Sequence, residues 1–329
     1  MSAEDTLPWV EKYRPQSLDD IYGQTAAVGT IRKFASEGRI PHLLFYGPPG
    51  SGKTSTIIAL ARELYGKNYR NMVLELNASD DRGIDVVREQ IKTFASTRQI
   101  FTTGFKLIIL DEADAMTNVA QNALRRVIEK FTKNTRFCII ANYANKLNPA
   151  LLSRCTRFRF SPLTNDAING MIDHVCKSEN LNITNEAKIS LIKLSGGDMR
   201  KALNVLQACH ASLDNPSTEE IDQDMIYDCI GAPKPSSIDT MLNAIMKNDW
   251  SDAYNTLIKI RRIEGLALVD LITSFVEILD KYTLKPQTRR LLYQGLADIE
   301  YAISKGGNDS IQSTAVIGCI KNALECESM

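Results

Sequence analysis

The sequence predicts an α/β domain, a parallel sheet with helices on both faces, followed by two all-helical regions. Short apolar runs typical of buried strands alternate with amphipathic helical stretches from residue 43 to about residue 160. From Pro162 onward, helical patterns and turns continue without another strand-like run, and a Pro- and Ser-rich boundary follows at Gly231–Ser237. The domains that fit these changes are 1–161 for the α/β domain, 162–232 for a small helical domain and 233–329 for a C-terminal helical domain.

The composition limits the classes of protein that this chain can represent. The 329 residues are 44% apolar and 24% charged, which is typical of soluble globular proteins. Because 39 basic residues balance 39 acidic ones, a uniformly basic DNA-coating protein is excluded, and nucleic-acid contact would need a local basic patch. The seven cysteines are scattered and form no C-x-x-C pair, so we expect reduced thiols rather than a zinc site or disulfides. Without a signal-peptide pattern or a membrane-length apolar run, the expected location is the cytosol or the nucleus.

The clearest motif lies between the first predicted strand and its helix. The apolar run at residues 43–46 is followed by GPPGSGKT, which fits G-x-x-x-x-G-K-[ST], and by a helical stretch that ends at Gly66. Glycines let the backbone approach phosphate oxygens, so that N–H groups at a helix N-terminus point at them. Lys53 would reach the β- and γ-phosphates, and the Thr54 hydroxyl would ligate Mg²⁺. The predicted phosphate-binding residues are Gly47, Pro48, Pro49, Gly50, Ser51, Gly52, Lys53, Thr54 and Ser55.

A second strand-like run ends in acidic residues. The apolar residues 107–110 lead into Asp111-Glu112-Ala113-Asp114. A carboxylate at the end of a buried strand beside the phosphate loop can hold Mg²⁺, which is the role predicted for Asp111. Glu112 would polarise the water that attacks the γ-phosphate. The alternative is an acidic helix N-terminus that only complements the helix dipole, and the phosphate loop upstream disfavours it.

Three polar residues follow later in the chain. Asn142 ends the next buried run and would contact the γ-phosphate or the attacking water, although an ordinary turn-forming asparagine is the alternative. Arg154 precedes an alternating strand pattern and, taken alone, would be a surface arginine. Arg200 lies in the first turns of a helix that follows a Gly-Gly-Asp turn.

Together these motifs resemble the AAA+ ATPases and, within them, the small subunits of replication factor C, the eukaryotic sliding-clamp loader. The resemblance covers nearly the whole chain and is carried by WVEKYRP (9–15), GPPGSGKT (47–54), LNASDDRGID (76–85), LIILDEAD (107–114), SRC (153–155) and GGDMRKALN (196–204). Two more runs resemble one fungal paralogue in particular, FASTRQIF (94–101) and ADIEYAISKGGND (297–309). The resemblance implies an AAA+ ATP-binding domain, a helical lid and an all-α C-terminal collar that joins subunits into a ring.

The resemblance also implies roles for individual residues. Three of them would line the adenine and ribose side of ATP: Val10, Arg14 and Tyr22. Asn142 corresponds to the sensor-1 position and Arg200 to the sensor-2 position, while Asn77 corresponds to a residue that holds the catalytic glutamate inactive until DNA binds. Arg154 corresponds to the arginine finger, which acts on ATP bound by a neighbouring subunit and makes hydrolysis depend on assembly. Catalysis would therefore involve Glu112, Lys53, Asn142 and, in trans, Arg154.

A basic helix face is the candidate DNA contact. Arg88 and Lys92 are i,i+4 neighbours, and Arg82 precedes their helix. These side chains would bind phosphates without reading sequence, with a solvated helix face as the alternative. By family analogy, Thr97–Phe101 is a candidate contact for the sliding clamp, with core packing as the alternative.

The function that these implications predict is that of a nuclear clamp-loader subunit. With other replication factor C subunits in a heteropentamer, it would use ATP and Mg²⁺ to load a PCNA-type clamp onto primer-template DNA in replication and repair. A DEAD-type helicase is the first alternative, because residues 111–114 spell that tetrad, but the C-terminal half lacks the second α/β series that it requires. A subunit that binds ATP without hydrolysing it is the second alternative, and the intact Lys53, Thr54, Asp111 and Glu112 argue against it.

Overall fold

The computed structural model of this chain describes residues 7–78, 84–97, 104–213 and 219–328. The chain divides into two compact units, Met1–Ile221 and Asp222–Met329. The finer division at residues 161/162 and 232/233 stays a prediction.

The first unit is built on a five-stranded sheet. Its strands are β1 (Leu43–Tyr46), β2 (Val73–Asn77), β3 (Lys106–Asp111), β4 (Thr135–Ala141) and β5 (Thr156–Arg159). They lie in the order β2-β3-β4-β1-β5, and every pair of neighbours is parallel. The prediction of a parallel sheet is confirmed.

Helices cover both faces of this sheet. The helices before and between the strands are α1 (Trp9–Lys12), α2 (Thr25–Ser36), α3 (Lys53–Tyr65), α4 (Tyr69–Met72), α5 (Ile84–Ser96), α6 (Asn118–Phe131) and α7 (Pro149–Leu152). Alternate residues of a strand point to opposite faces. Leu43 and Phe45 of β1 accordingly belong to a core cluster with Ile57 of α3, whereas Leu44 belongs to a second cluster with Leu124 of α6.

The order of the strands determines where the chemistry can occur. The strands β3, β4 and β1 are neighbours, so their carboxyl ends meet at one edge of the sheet. The phosphate loop follows β1, Asp111 ends β3 and Asn142 follows β4. Ligands of open α/β sheets bind at this edge, beyond the carboxyl ends of the strands.

The remainder of the first unit is mainly helical, as predicted. Its helices are α8 (Asn165–Glu179), α9 (Asn185–Ser195) and α10 (Met199–Ser212). Their N-caps Thr164, Thr184 and Asp198 each accept hydrogen bonds from first-turn N–H groups. The prediction that no strand follows Pro162 was wrong in one detail, because β6 (Asn182–Ile183) and β7 (Glu220–Ile221) pair in parallel. Strands of two residues are too short to produce an alternating sequence pattern.

The described residues of the second unit are helices and their connections. The helices are α11 (Gln223–Ile230), α12 (Pro235–Lys247), α13 (Trp250–Glu264), α14 (Leu268–Leu279), α15 (Pro286–Ser304) and α16 (Asp309–Ser328). One apolar core includes Met241, Phe275 and Val316. Arg261 of α13 binds both carboxylate oxygens of Asp309 on α16, at 2.9 and 3.0 Å. The all-α prediction is confirmed, and across the described ranges no helix has the length and apolarity to cross a membrane.

Candidate nucleotide-binding site

The loop between β1 and α3 has a backbone that only glycine adopts without strain. The φ angles of Gly47, Gly50 and Gly52 are 148°, 66° and 91°. A Cβ atom at Gly47 would lie 2.1 Å from the carbonyl oxygen of Phe160, and one at Gly50 would lie 1.7 Å from a carboxylate oxygen of Asp198. The N-cap of α3 is Gly52, which has no side chain to bond the N–H groups of the first turn. Those N–H groups suit the phosphate oxygens of a nucleotide.

Lys53 is buried at the start of α3, with only 7% of the residue exposed. Its ammonium group donates to the carbonyl oxygens of Gly47 and Pro48 at 2.8 and 2.7 Å and to Oδ1 of Asn142 at 3.0 Å. Burial lowers the pKa of Lys53, although the nearby carboxylate of Asp111 opposes this effect. Because all three hydrogen-bond acceptors are neutral, they do not neutralise the positive charge. The site therefore fits an anionic ligand such as a γ-phosphate.

The residues predicted to hold Mg²⁺ are in direct contact. The Thr54 hydroxyl donates to Oδ2 of Asp111 at 2.8 Å, and Oδ1 of Asp111 accepts from the Glu112 N–H at 2.8 Å. Hydroxyl and carboxylate oxygens are the ligands that Mg²⁺ takes together with water and phosphate. The chemistry of these donors thus fits the predicted metal.

Glu112 has an unusual backbone. Its φ of 54° lies in the left-handed region, which few residues other than glycine adopt. Two residues later, the Asp114 carboxylate accepts from the N–H groups of Asn142 and Tyr143, at 3.4 and 3.3 Å. These bonds join the turn after β3 to the turn after β4. Strained backbone of this kind is concentrated at functional sites.

A single cavity in the first unit brings most of the predicted site together. The predicted residues that line it are Val10, Arg14, Tyr22, Pro49, Gly50, Ser51, Gly52, Lys53, Thr54, Ser55, Asp111, Glu112, Asn142 and Arg200. The carbonyl groups of Gly47 and Pro48 take part through their hydrogen bonds with Lys53. Residues almost 200 positions apart in sequence thus form one site, while their individual roles stay predictions.

Several residues of the cavity were not identified from the sequence. They are Tyr13, Pro15, Ile21, Leu163, Met171, Met199 and Leu203. Ile21, Leu163 and Met171 are apolar residues whose spacing is that of ordinary core positions, so no local signal distinguishes them. The other four lie within the WVEKYRP and GGDMRKALN motifs, beside residues that were predicted. Gln24 was also missed; its side-chain amide donates to the carbonyl oxygens of Ser51 at 3.3 Å and Ser161 at 2.8 Å, which braces the phosphate loop. Asp198, whose carboxylate lies beside Gly50 of the phosphate loop, was missed as well. A signal for it existed, because an aspartate directly before a helix is a typical N-cap.

Arg154 lies apart from this cavity. It is exposed just after α7, where it forms an ion pair with Glu129 of α6 and donates to the Ala150 carbonyl oxygen at 2.7 Å. It does not line the cavity of its own chain. The role in trans that the resemblance implies for Arg154 stays a prediction.

The candidate DNA contacts are only partly described. Lys92 is exposed on α5. Arg82 and the side chain of Arg88 lie outside the described residues, and so does the segment 98–101 that follows Thr97. The DNA and clamp contacts stay predictions.

The order of the strands, the phosphate loop and the residues at the strand ends define a P-loop ATPase of the AAA+ class. Residues 43–163 match the family described as ATPase family associated with various cellular activities. The RuvB Holliday junction branch migration motor of Thermotoga maritima has a similar fold, with a TM-score of 0.54 and 16% identity over 83% of this chain and 93% of that one. At this identity the similarity concerns the fold alone.

Comparison with more similar proteins identifies the family. Residues 171–211 match the RCF1/5-like AAA+ ATPase lid domain, and residues 233–319 match the replication factor C C-terminal domain. Replication factor C subunit 3 of Saccharomyces cerevisiae is 64% identical, over 99% of this chain and 96% of that protein. Subunit 3 of Schizosaccharomyces pombe is 56% identical, over 99% and 94%. Human replication factor C subunit 5 is 49% identical, over 96% and 92%.

The chain therefore belongs to the replication factor C small subunits of the clamp-loader family, and it is a nucleotide-binding ATPase. The resemblance to the fungal third subunit that FASTRQIF and ADIEYAISKGGND indicated is confirmed.

Proposed function

We propose that this chain is an ATP-hydrolysing subunit of a nuclear clamp loader, in which it helps to open a PCNA-type sliding clamp and place it on primer-template DNA for replication and repair. The observation that carries the proposal is the separation of two sets of residues. Lys53, Thr54, Asp111, Glu112 and Asn142 lie together around one cavity, whereas Arg154 is exposed away from it. A complete ring would bring Arg154 of one subunit to the nucleotide of another.

Within the cavity, each residue has a distinct role in phosphoryl transfer to water. Bound Mg²⁺, held by Thr54 and Asp111, would neutralise charge on the β- and γ-phosphates. Lys53 binds the γ-phosphate oxygens, and Glu112 accepts a proton from the attacking water. Asn142 orients that water or the γ-phosphate. Val10, Arg14 and Tyr22 bind the nucleoside, while Arg200 connects the phosphates to α10.

Arg154 supplies positive charge to the transition state of the neighbouring site. Its partner Glu129 is 43% exposed, and ion pairs in water contribute little energy. The guanidinium can therefore exchange Glu129 for a phosphate at low cost. This arrangement makes ATP hydrolysis depend on assembly.

Contacts with DNA and the clamp complete the proposed cycle. Lys92, with Arg82 and Arg88, would bind the phosphate backbone, which explains loading without sequence preference. Thr97–Phe101 would contact the clamp. ATP binding would favour the closed ring around DNA, and hydrolysis would release the loaded clamp.

The test is the ATPase rate of the reconstituted assembly, with and without primer-template DNA and clamp. Arg154→Ala should remove most of the stimulation, about 10³-fold or more in kcat at the affected site, while this chain still binds ATP. Arg70→Ala, an exposed arginine on α4, is the matched control and should behave as wild type. If the isolated chain hydrolyses ATP at the full rate and Arg154 has no effect, the mechanism in trans is wrong.

A further inference from the structure

The N-terminal strap, defined as residues 7–17, is attached through its first turn to the lid helices, which are α8, α9 and α10. Trp9 is buried, and its backbone N–H donates to Oε1 of Gln207 on α10 at 3.0 Å. Its ring lies 5.2 Å from the ring of His210, one turn further along α10. The helix α1 has only four residues and cannot be stable by itself. Contacts with other elements must therefore determine its position.

Glu179, the last residue of α8, makes the strongest of these contacts. Its Oε1 accepts from the Tyr13 hydroxyl at 2.5 Å and from the Lys12 ammonium at 2.6 Å. The Glu179 side chain is only 17% exposed, so both bonds are shielded from water. Burial alone would raise the pKa of Glu179, but the bonds from Lys12 and Tyr13 outweigh it and lower that pKa. The carboxylate is thus ionised and bonded at neutral pH.

The strap residues next to this contact form part of the cavity wall. Val10, Tyr13, Arg14 and Pro15 line the cavity, whereas Glu179 does not. Beyond the strap, Leu18 is buried in the core cluster of β1 and α3. The strap is therefore fixed at both ends, by Glu179 and α10 on one side and by Leu18 on the other. Terminal segments are poorly ordered unless they are tied down in this way.

We infer that Glu179 is a positioning residue for nucleotide binding, which holds Tyr13 and Lys12 so that the strap forms the nucleoside side of the cavity. The inference rests on the proposed nucleotide site. Without Glu179, the strap loses its charged anchor, and the nucleotide must order it on binding. That ordering lowers affinity although no residue that touches the nucleotide has changed.

The experiment is a titration of the full-length chain with Mg²⁺ and ATPγS, a slowly hydrolysed ATP analogue. The chain has two tryptophans, Trp9 in the strap and Trp250 in the second unit. In a Trp250→Phe background, fluorescence therefore reports on Trp9 alone. A calorimetric titration gives Kd independently of the fluorescence.

Glu179→Ala should raise Kd by about 3- to 10-fold, since it removes two hydrogen bonds to a charged group. It should also shift Trp9 emission to longer wavelength before nucleotide is added, which a general loss of stability in the folded protein would not do. Glu179→Gln retains an acceptor for Tyr13 but loses the ion pair with Lys12, so it should restore only part of the affinity. The matched control is Glu186→Ala, because Glu186 is an exposed glutamate on α9, outside the strap and the cavity.

Two results would overturn the inference. If wild type binds ATPγS and Glu179→Ala binds with the same Kd, the positioning role is wrong, although the nucleotide site stands. If wild type does not bind and Lys53→Ala is no different, the nucleotide site fails and the inference fails with it. Should Glu179→Ala not fold, Lys12→Met decides, because Lys12 bonds Glu179 without lining the cavity: a raised Kd with altered Trp9 emission supports the inference, and wild-type values overturn it.

Discussion

His42 connects three elements of the first unit through its two ring nitrogens. Nδ1 accepts a hydrogen bond from the N–H of Phe137 on β4 at 3.2 Å. Nε2 therefore carries the proton and donates to the Thr132 hydroxyl at 3.3 Å, which in turn donates to the Ile128 carbonyl oxygen of α6. Only the neutral ring can make this set of bonds. Burial, assisted by the charge of Arg136, accordingly lowers the pKa of His42 to about 4.

This pKa predicts an acid-sensitive fold. Between pH 6.5 and about 4, His42 is protonated in the unfolded chain but stays neutral in the folded chain. The free energy of unfolding is therefore highest above pH 6.5 and decreases as the pH falls through this range. The loss should reach roughly 2–3 kcal/mol by pH 4.5. Urea unfolding of the first unit at pH 7.5 and 4.5 measures it. His42→Asn keeps an acceptor near Phe137 without a titrating ring and should show a smaller difference; an unchanged difference would assign the effect to other groups.

The positions of single site residues were predictable where a motif fixes them by chemistry. The spacing of Lys53, Thr54 and Asp111 was sufficient, because the strand ends bring these residues together in any such sheet. The left-handed backbone of Glu112 was not predictable, since neighbouring residues alone do not impose it. The contacts of Glu179 were also hidden, because its partners Lys12 and Tyr13 lie more than 160 residues away in sequence.

At the scale of elements, Lys106 joins the start of β3 to the end of α5. Its ammonium donates to the carbonyl oxygens of Phe94 and Thr97, the first at 2.7 Å, and lies 4.6 Å from the centre of the Phe94 ring. The last carbonyl groups of a helix lack partners within the helix and attract cations. Burial lowers the pKa of Lys106, so these acceptors also compensate a charge that is shielded from water.

We expect Lys106→Met to loosen the end of α5 while leaving the sheet intact. Methionine retains the apolar part of the side chain but leaves two carbonyl groups without their cation, which should cost about 1–3 kcal/mol. Amide hydrogen exchange of residues 93–97 should become faster. Lys133→Met, at an exposed lysine after α6, should leave those rates unchanged. Equal rates in the two variants would contradict a role for Lys106 at this helix end.

Elements with strong periodicity were predicted to within a few residues. The apolar spacing of Trp250–Ile263 is that of a helix, and α13 spans Trp250–Glu264 because Gly265 ends it in a left-handed conformation. The helical pattern of Leu266–Tyr282 is longer than α14, since the apolar residues at its two ends, Leu266 and Tyr282, lie in the connections. Contacts across the fold, rather than a local pattern, create the pair β6–β7, so it was not predictable from the sequence.

The residues described as lining the cavity all belong to the first unit. The second unit has its own apolar core and its own ion pair, in which Arg261 binds Asp309 and also donates to the Ser313 hydroxyl. The sequence places the phosphate-binding motif and the strand ends before residue 162 and helical patterns after it, and it predicted cavity residues in the strap and in α10, namely Val10, Arg14 and Arg200. It did not predict the contacts of Lys12 and Tyr13 with Glu179 that hold the strap.

This division predicts where bound nucleotide will stabilise the chain. A ligand that binds only folded protein stabilises it by about 2.7 kcal/mol at one hundred times its Kd. With Mg²⁺ and ATPγS at that concentration, hydrogen exchange should slow in the phosphate loop, the strap and α10. Exchange in α12 to α16 should stay unchanged, because none of the residues described as lining the cavity lies there.

Lys53→Ala is the control for that measurement, because it removes the cation that the phosphates require and should abolish the protection. Protection limited to the first unit would mean that nucleotide energy is used to fix the strap and the lid helices around the phosphate loop. Equal protection of α12 to α16 would contradict this prediction and would mean that binding energy is shared with the second unit. Within the proposed ring, the first result would leave the neighbouring subunit's arginine, rather than the second unit of the same chain, as the group that responds to bound ATP.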